Sequence, residues 1–125
     1  MLGARGEDAG AHWLSAHGLV LLARNIRRGR DEADLVFKDP ATNLLIIVEV
    51  KTRTQARAWP EARVDGAKSA ALLRLAHTAW TETPQCSGVR IDVLAVNLPK
   101  RGDPAFHWFR DAIPVPLAWC HSRGR

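Results

Sequence analysis

The spacing of hydrophobic residues along the chain predicts two helices and five strands. Apolar residues recur at helical spacing near the N-terminus and again after position 65, while short apolar runs bounded by turn residues fill the remainder. The predicted elements are, in chain order, a helix over Gly3–His17, strands over Leu19–Ala23, Ala33–Lys38 and Leu44–Thr52, a helix over Asp65–Trp80, and strands over Arg90–Asn97 and Ala105–Phe109. The order α-β-β-β-α-β-β predicts an α/β fold with a mixed β-sheet flanked by helices.

Turn signals set the predicted connections. A basic turn is expected over 25–30, and Asp39–Asn43 is expected to close an antiparallel hairpin between the second and third strands. Residues 53–64 are predicted to form a polar loop in which Trp59 is a candidate for base stacking or a dimer contact. The Pro-rich segment over about 111–125 is predicted to be a C-terminal tail.

Composition narrows the class of protein. A chain of 125 residues with 46% hydrophobic and 25% charged residues is expected to form one folded domain over 1–125. Two cysteines are too few for a disulfide scaffold or a four-thiolate zinc site. No apolar run reaches membrane-spanning length, and Glu7 and Asp8 stand where a signal peptide needs an apolar stretch. We therefore expect a cytoplasmic protein with no membrane association.

The charge balance points to a polyanionic partner. Eighteen Lys and Arg against thirteen Asp and Glu give a net charge of +5. Basic residues form two groups, one before and one after the central hydrophobic strand, so that phosphates on both sides of an intervening site could be held. The residues expected to bind nucleic acid are Arg27, Arg28, Arg30, Arg53 and Lys68.

A cluster of charged residues is predicted between these basic groups. Glu49 and Lys51 end the third strand on one face, and equal counting back from the hairpin loop places Asp34 near Glu49. Two carboxylates beside a lysine suit Mg²⁺ or Mn²⁺ and a metal-activated water. Without metal, their repulsion should raise the pKa of one carboxyl, with Lys51 opposing the rise. The alternative is a solvated ion pair that caps the strand.

The order of several short motifs resembles a known family. The motifs are Glu7, Asn25-Ile26-Arg27, Glu32-Ala33-Asp34-Leu35, Val48-Glu49-Val50-Lys51-Thr52-Arg53, Lys68 and Arg90-Ile91-Asp92-Val93. Together they resemble the YraN family of small bacterial proteins in the PD-(D/E)xK nuclease-like superfamily, which is similar to archaeal Holliday-junction resolvases. The resemblance runs from about residue 3 to about residue 115.

The resemblance implies a restriction-endonuclease-like core and a catalytic set of Glu7, Asp34, Glu49 and Lys51. Asp34, Glu49 and the backbone carbonyl of Val50 would bind Mg²⁺ or Mn²⁺, with Glu7 completing the site. By itself, Glu7 is better explained as a structural residue, an acid in the first turn of the helix that interacts favourably with the helix dipole. Similarity to resolvases also implies a homodimer that acts on DNA, including branched DNA. Asp31 departs from the glycine usual in the family.

Three classes of function remain open at this stage. The first is a metal-dependent endonuclease that hydrolyses phosphodiester bonds in DNA. The second is a nucleic-acid-binding protein of the same fold that does not cleave, and the third is an interaction protein whose charged edge docks another protein. The complete set of Glu7, Asp34, Glu49 and Lys51 favours the first, because a binder has no need of it.

Overall fold

A computed structural model of the protein describes residues 2–54 and 63–120. The elements in these ranges are α1 (Leu2–Ala16), β1 (Val20–Arg28), β2 (Asp31–Asp39), β3 (Leu44–Arg53), α2 (Gly66–Thr81), β4 (Gly88–Asn97), β5 (Ala105–Ile113) and α3 (Leu117–Cys120). The predicted fold class and the order α-β-β-β-α-β-β are confirmed, and the short helix α3 follows them. In this part of the chain no helix is both long and apolar enough to cross a membrane.

The five strands form one mixed sheet in the order β1-β2-β3-β4-β5. β1, β2 and β3 are antiparallel neighbours, β3 and β4 run parallel, and β5 returns antiparallel to β4. A parallel pair cannot be joined by a tight turn, so the chain must cross over one face of the sheet, and α2 makes that crossing. Consequently α2 begins at the end of the sheet where β3 finishes.

The two long helices cover opposite faces of the sheet. Ile46 and Val48 of β3 pack in the cluster on the α1 side, whereas Leu45 and Ile47 pack in the cluster on the α2 side. A strand buried on both faces needs apolar residues at every position, which explains the uninterrupted hydrophobic run. The run ends at Glu49, the first charged residue of β3.

The basic turn predicted over 25–30 is wrong. β1 continues to Arg28, since Ile26, Arg27 and Arg28 pair with residues at the start of β2. Only Gly29 and Arg30 lie between the two strands, and Gly29 has the positive φ of 62° that tight hairpin turns require. The arginines of this segment therefore lie mainly on an edge strand.

The C-terminal segment also differs from its prediction. β5 extends to Ile113, four residues beyond the predicted end of that strand, and α3 forms within the expected tail. The fully buried carboxylate of Asp92 explains the extension, because it accepts hydrogen bonds from Arg90, from Trp108 Nε1 at 2.8 Å and from the Asp111 amide at 2.9 Å. Trp80 is buried, whereas Trp108 is only half-buried. Trp59 lies outside the described residues.

Close contact at Gly6 sets the distance between α1 and β3. A Cβ atom at this position would lie 1.9 Å from Thr52 Oγ1, which is less than any real contact allows. The missing side chain lets the helix approach the end of β3, and the next residue, Glu7, is carried with it. Gly6 is thus required by packing and not by backbone conformation.

We expect Gly6→Ala to destabilise the protein by about 1–3 kcal/mol, because overpacking outweighs the higher helix propensity of alanine. Denaturant unfolding measures the effect. Gly3→Ala is the matched control, since nothing lies within 4 Å of a Cβ built there. It should leave stability unchanged or slightly higher, and equal losses for the two variants would contradict the packing explanation.

Candidate active site

The site forms where β2 separates from β3. Backbone pairing between these strands stops at Leu35 and Val48. Beyond that point the Val50 amide donates a hydrogen bond to Asp34 Oδ2 at 2.7 Å. The carboxylate therefore satisfies a backbone donor that the neighbouring strand no longer reaches. Asp34 lies beside the Glu49–Val50 segment, as the hairpin register predicts.

A backbone irregularity in β1 accompanies this opening. Asn25 adopts a φ of 50°, which is uncommon for a residue other than glycine. Ala23 and Ile26 both pack on the α2 side, although strict alternation would separate residues three apart. The sequence analysis did not identify Asn25 as part of the site. The neighbouring residues, Ile26 and two arginines, gave no indication that Asn25 adopts a left-handed backbone conformation.

Glu49 has the most strongly altered titration of the cluster. Its side chain is only 17% exposed. Burial, and after it the nearby Asp34, raise its pKa to about 7, although Lys68 and Lys51 act in the opposite direction. The expected rise in the pKa of one carboxyl is therefore present, but burial contributes more than the repulsion on which the expectation rested.

One oxygen of Glu49 lacks a hydrogen-bond partner. Oε1 is buried and accepts no hydrogen bond from any residue in 2–54 or 63–120, and the Lys68 ammonium lies 3.8 Å from it. Buried carboxylate oxygens are normally hydrogen-bonded or bound to a cation. Lys68 Nζ is 3.2 Å from the carbonyl oxygen of Glu32, to which it donates. The Lys68 side chain thus extends from α2 into the site, where it contacts Glu32 of β2 and Glu49 of β3.

Glu7 approaches Asp34 from the other helix layer. Burial raises the pKa of Glu7, and the charge and hydrogen bonding of Asp34 add to the rise. Asn25 and Arg24 lie close enough to lower it. Asp34 therefore interacts with Glu7 on the α1 side of the sheet and with Glu49, which lies near Lys51 and Lys68, on the α2 side.

The donor set suits a hard cation that keeps part of its water shell. Across residues 2–54 and 63–120, no three His, Cys, Asp or Glu side chains form a group able to hold a metal by themselves. Asp34 and Glu49 do adjoin, and a cation would satisfy the Oε1 of Glu49, which accepts no hydrogen bond from the described residues. Mg²⁺ is usually bound through one or two carboxylates and several waters, so these residues fit it.

Of the five residues predicted to bind nucleic acid, Lys68 forms an ion pair with Glu49, and the four arginines fall into two groups. Arg27 and Arg28 form ion pairs with Glu32 and Glu82 at 2.7 and 2.6 Å. Arg30 and Arg53 are exposed and have no ion pair with any residue that the structure describes. The role of all four in binding stays a prediction.

Asp31, where the resembled family usually has glycine, accepts two hydrogen bonds from Arg74 of α2, at 3.0 and 2.9 Å. These bonds lower the pKa of Asp31. The aspartate therefore connects the start of β2 to the helix on that face.

Comparison with known proteins gives the family. The chain belongs to the "Uncharacterised protein family UPF0102", whose model matches residues 6–96. It is 35% identical over 108 residues to a UPF0102 protein of Leifsonia xyli, covering 85% of this chain and 90% of the relative. It is 41% identical over 113 residues to one of Frankia casuarinae, covering 89% and 94%. It is 38% identical over 114 residues to one of Methylococcus capsulatus, covering 90% of each.

Among solved structures, the chain is similar to SfsA of Pyrococcus furiosus in complex with Ca²⁺. The TM-score is 0.40 with 14% sequence identity. The match covers 87% of this chain but 60% of SfsA, so the chain spans less than two thirds of that protein.

The raised pKa of Glu49 predicts a pH-dependent stability in the absence of divalent ions. Below its usual pKa of 4.5 the carboxyl is protonated in both states and costs nothing. As pH rises to about 7, the unfolded chain ionises first, so the free energy of unfolding should fall. The loss should be on the order of 2–3 kcal/mol, since one pKa unit corresponds to about 1.4 kcal/mol.

Urea unfolding between pH 4.5 and 7 in EDTA tests this. Glu49→Gln should remove most of the slope over that window. Glu82→Gln is the control, because Arg28 lowers the pKa of Glu82 and its contribution changes only below that window. A Glu49→Gln curve parallel to that of the wild type would show that Glu49 does not retain its proton in the native state.

Proposed function

We propose that the protein is a divalent-metal-dependent endonuclease that hydrolyses phosphodiester bonds in DNA, including branched or structured DNA. The observation that carries the proposal is the adjoining pair Asp34 and Glu49, in which Glu49 Oε1 is buried without a hydrogen bond. Lys51 lies near enough to act electrostatically on Glu49. The resemblance to the PD-(D/E)xK superfamily supports the same chemistry.

In this proposal Asp34, Glu49 and the Val50 carbonyl hold Mg²⁺ or Mn²⁺, and Glu7 completes the site from α1. When bound, the ion lowers the pKa of a coordinated water and offsets negative charge on the phosphate. The hydrogen bond from the Val50 amide fixes Asp34 before any ion arrives. Holding the carboxylates in place beforehand reduces the reorganisation that binding requires.

Lys51 has a different role from that of the carboxylates. Its ammonium would hydrogen-bond to the attacking water and stabilise the charge that grows on the scissile phosphate. An interaction made mainly in the transition state lowers the barrier and contributes little to substrate affinity. Lys68 would hold Glu49 in place and offer a second positive charge to the phosphate.

One observation favours a second candidate, a nucleic-acid-binding protein of the same fold that does not cleave. In the described part of the chain no three acidic, imidazole or thiol side chains converge into a group able to bind metal alone. A binder would need the basic residues and not an ion. Cleavage assays therefore separate the two candidates, whereas binding assays do not.

We expect Lys51→Ala to reduce cleavage by about a hundredfold or more and to change DNA affinity only a few-fold. A cleavage panel of linear, flap and four-way DNA in Mg²⁺ or Mn²⁺, combined with gel shifts in the same buffer, measures both effects. Lys51→Arg should restore little activity, because a planar guanidinium does not replace a compact ammonium.

Lys38→Ala is the matched control, since Lys38 lies near the other end of β2 and pairs with Leu45 at the start of β3. It should cleave like the wild type. Cleavage by Lys51→Ala at the wild-type rate would place the activity elsewhere. A wild-type protein that binds DNA but cuts no member of the panel would favour the non-catalytic binder.

A further inference from the structure

Two arginines of the β1–β2 hairpin, Arg27 and Arg28, already have acidic partners. Arg27 pairs with Glu32, and Arg28 makes three contacts of 2.6 to 3.1 Å with the Glu82 carboxylate. At the start of β2, Asp31 brings a further negative charge to Arg30. Glu32 and Glu82 offset the charges of Arg27 and Arg28, so the hairpin attracts phosphate less than its sequence suggests.

A second group of basic residues lies at the carboxyl ends of β3 and β4. We call it the sheet-end surface; its members are Arg5, Arg53, Lys100 and Arg101, all of which are exposed. None of the four forms an ion pair with a residue in 2–54 or 63–120. Asp103 is the acidic residue of the same loop as Lys100 and Arg101.

Backbone contacts bring these residues together. The Leu98 amide donates to the Arg53 carbonyl at 2.7 Å, which places the loop containing Lys100 and Arg101 beside the end of β3. The first turn of α1 lies on the same end, because Leu2 lines one concavity with Thr52 and Arg53. The contact of Gly6 with Thr52 holds neighbouring Arg5 there.

The sheet-end surface adjoins the candidate active site directly. Arg53 follows Lys51 by two residues in β3, so the two side chains leave the same face about 7 Å apart. A phosphate chain that contacts Arg53 would therefore lie next to Lys51 and the candidate active site.

We infer that nucleic acid binds with its phosphate backbone on the sheet-end surface and that the β1–β2 hairpin contributes little. The inference rests on the proposed function, because it places the substrate of that same site. Four basic side chains that form no ion pair with a described residue can bind phosphates independently of sequence, since phosphate contacts position nucleic acid without reading bases. The surface therefore suits substrates that are recognised by shape.

Two triple variants with the same change in charge test this. Arg53→Gln, Lys100→Gln and Arg101→Gln remove three charges from the sheet-end surface, and Arg27→Gln, Arg28→Gln and Arg30→Gln remove three from the hairpin. Affinity for a fluorescent DNA duplex and for a four-way junction is measured by anisotropy between 50 and 200 mM salt, roughly the range over which phosphate contacts weaken most visibly. Thermal unfolding of each variant checks that the fold survives.

The sheet-end variant should bind at least about tenfold more weakly at low salt and lose two to three units of salt slope, roughly one per lost phosphate contact. The hairpin variant should stay within about threefold of the wild type. Equal effects, or a larger effect of the hairpin variant, would overturn the inference and leave the nuclease proposal intact. If DNA binds on the sheet-end surface but is not cleaved, the inference would be supported and the nuclease proposal would be contradicted. A wild-type protein that binds no DNA would overturn both.

Discussion

The hydrogen bond from the Val50 amide to the Asp34 carboxylate is the contact on which the candidate site depends. It lies where β2 stops pairing with β3, at a point where a continuous ladder would place a backbone carbonyl. Because a side chain takes that position, the strand edge stays open without leaving a buried donor unsatisfied. Asp34 is thereby fixed between the two helix layers, within reach of Glu7 on one side and Glu49 on the other.

Two acids in this sheet, Asp92 and Glu49, illustrate the difference between a structural and a functional role. Asp92 is completely buried and receives hydrogen bonds from Arg90, Trp108 and Asp111, so its charge is compensated within the fold. Glu49 keeps one buried oxygen without a hydrogen bond and has a raised pKa. Perturbed, incompletely satisfied acids are typical of functional sites, whereas fully satisfied ones hold elements together.

The number of charged residues in a stretch of sequence does not give the net charge that the folded surface presents to a ligand. Arg27 and Arg28 look like a phosphate-binding turn in the sequence, yet β1 continues through them and their partners come from β2 and from the end of α2. Glu82 lies 54 residues from Arg28, so local patterning carries no sign of this pair. Lys100 and Arg101, in contrast, gain importance only because β4 ends beside β3.

The sequence by itself determined the order of elements, the two-sided burial of β3 and the proximity of Asp34 to Glu49. These follow from local periodicity and from the fixed register of a short hairpin, which need no long-range information. Only the tertiary structure decided that Asn25 breaks the alternation of β1, that Lys68 reaches Glu49 from a helix, and that Gly6 lets α1 carry Glu7 to the site. Each of these depends on contacts between distant segments, whose packing distances no single stretch of sequence encodes.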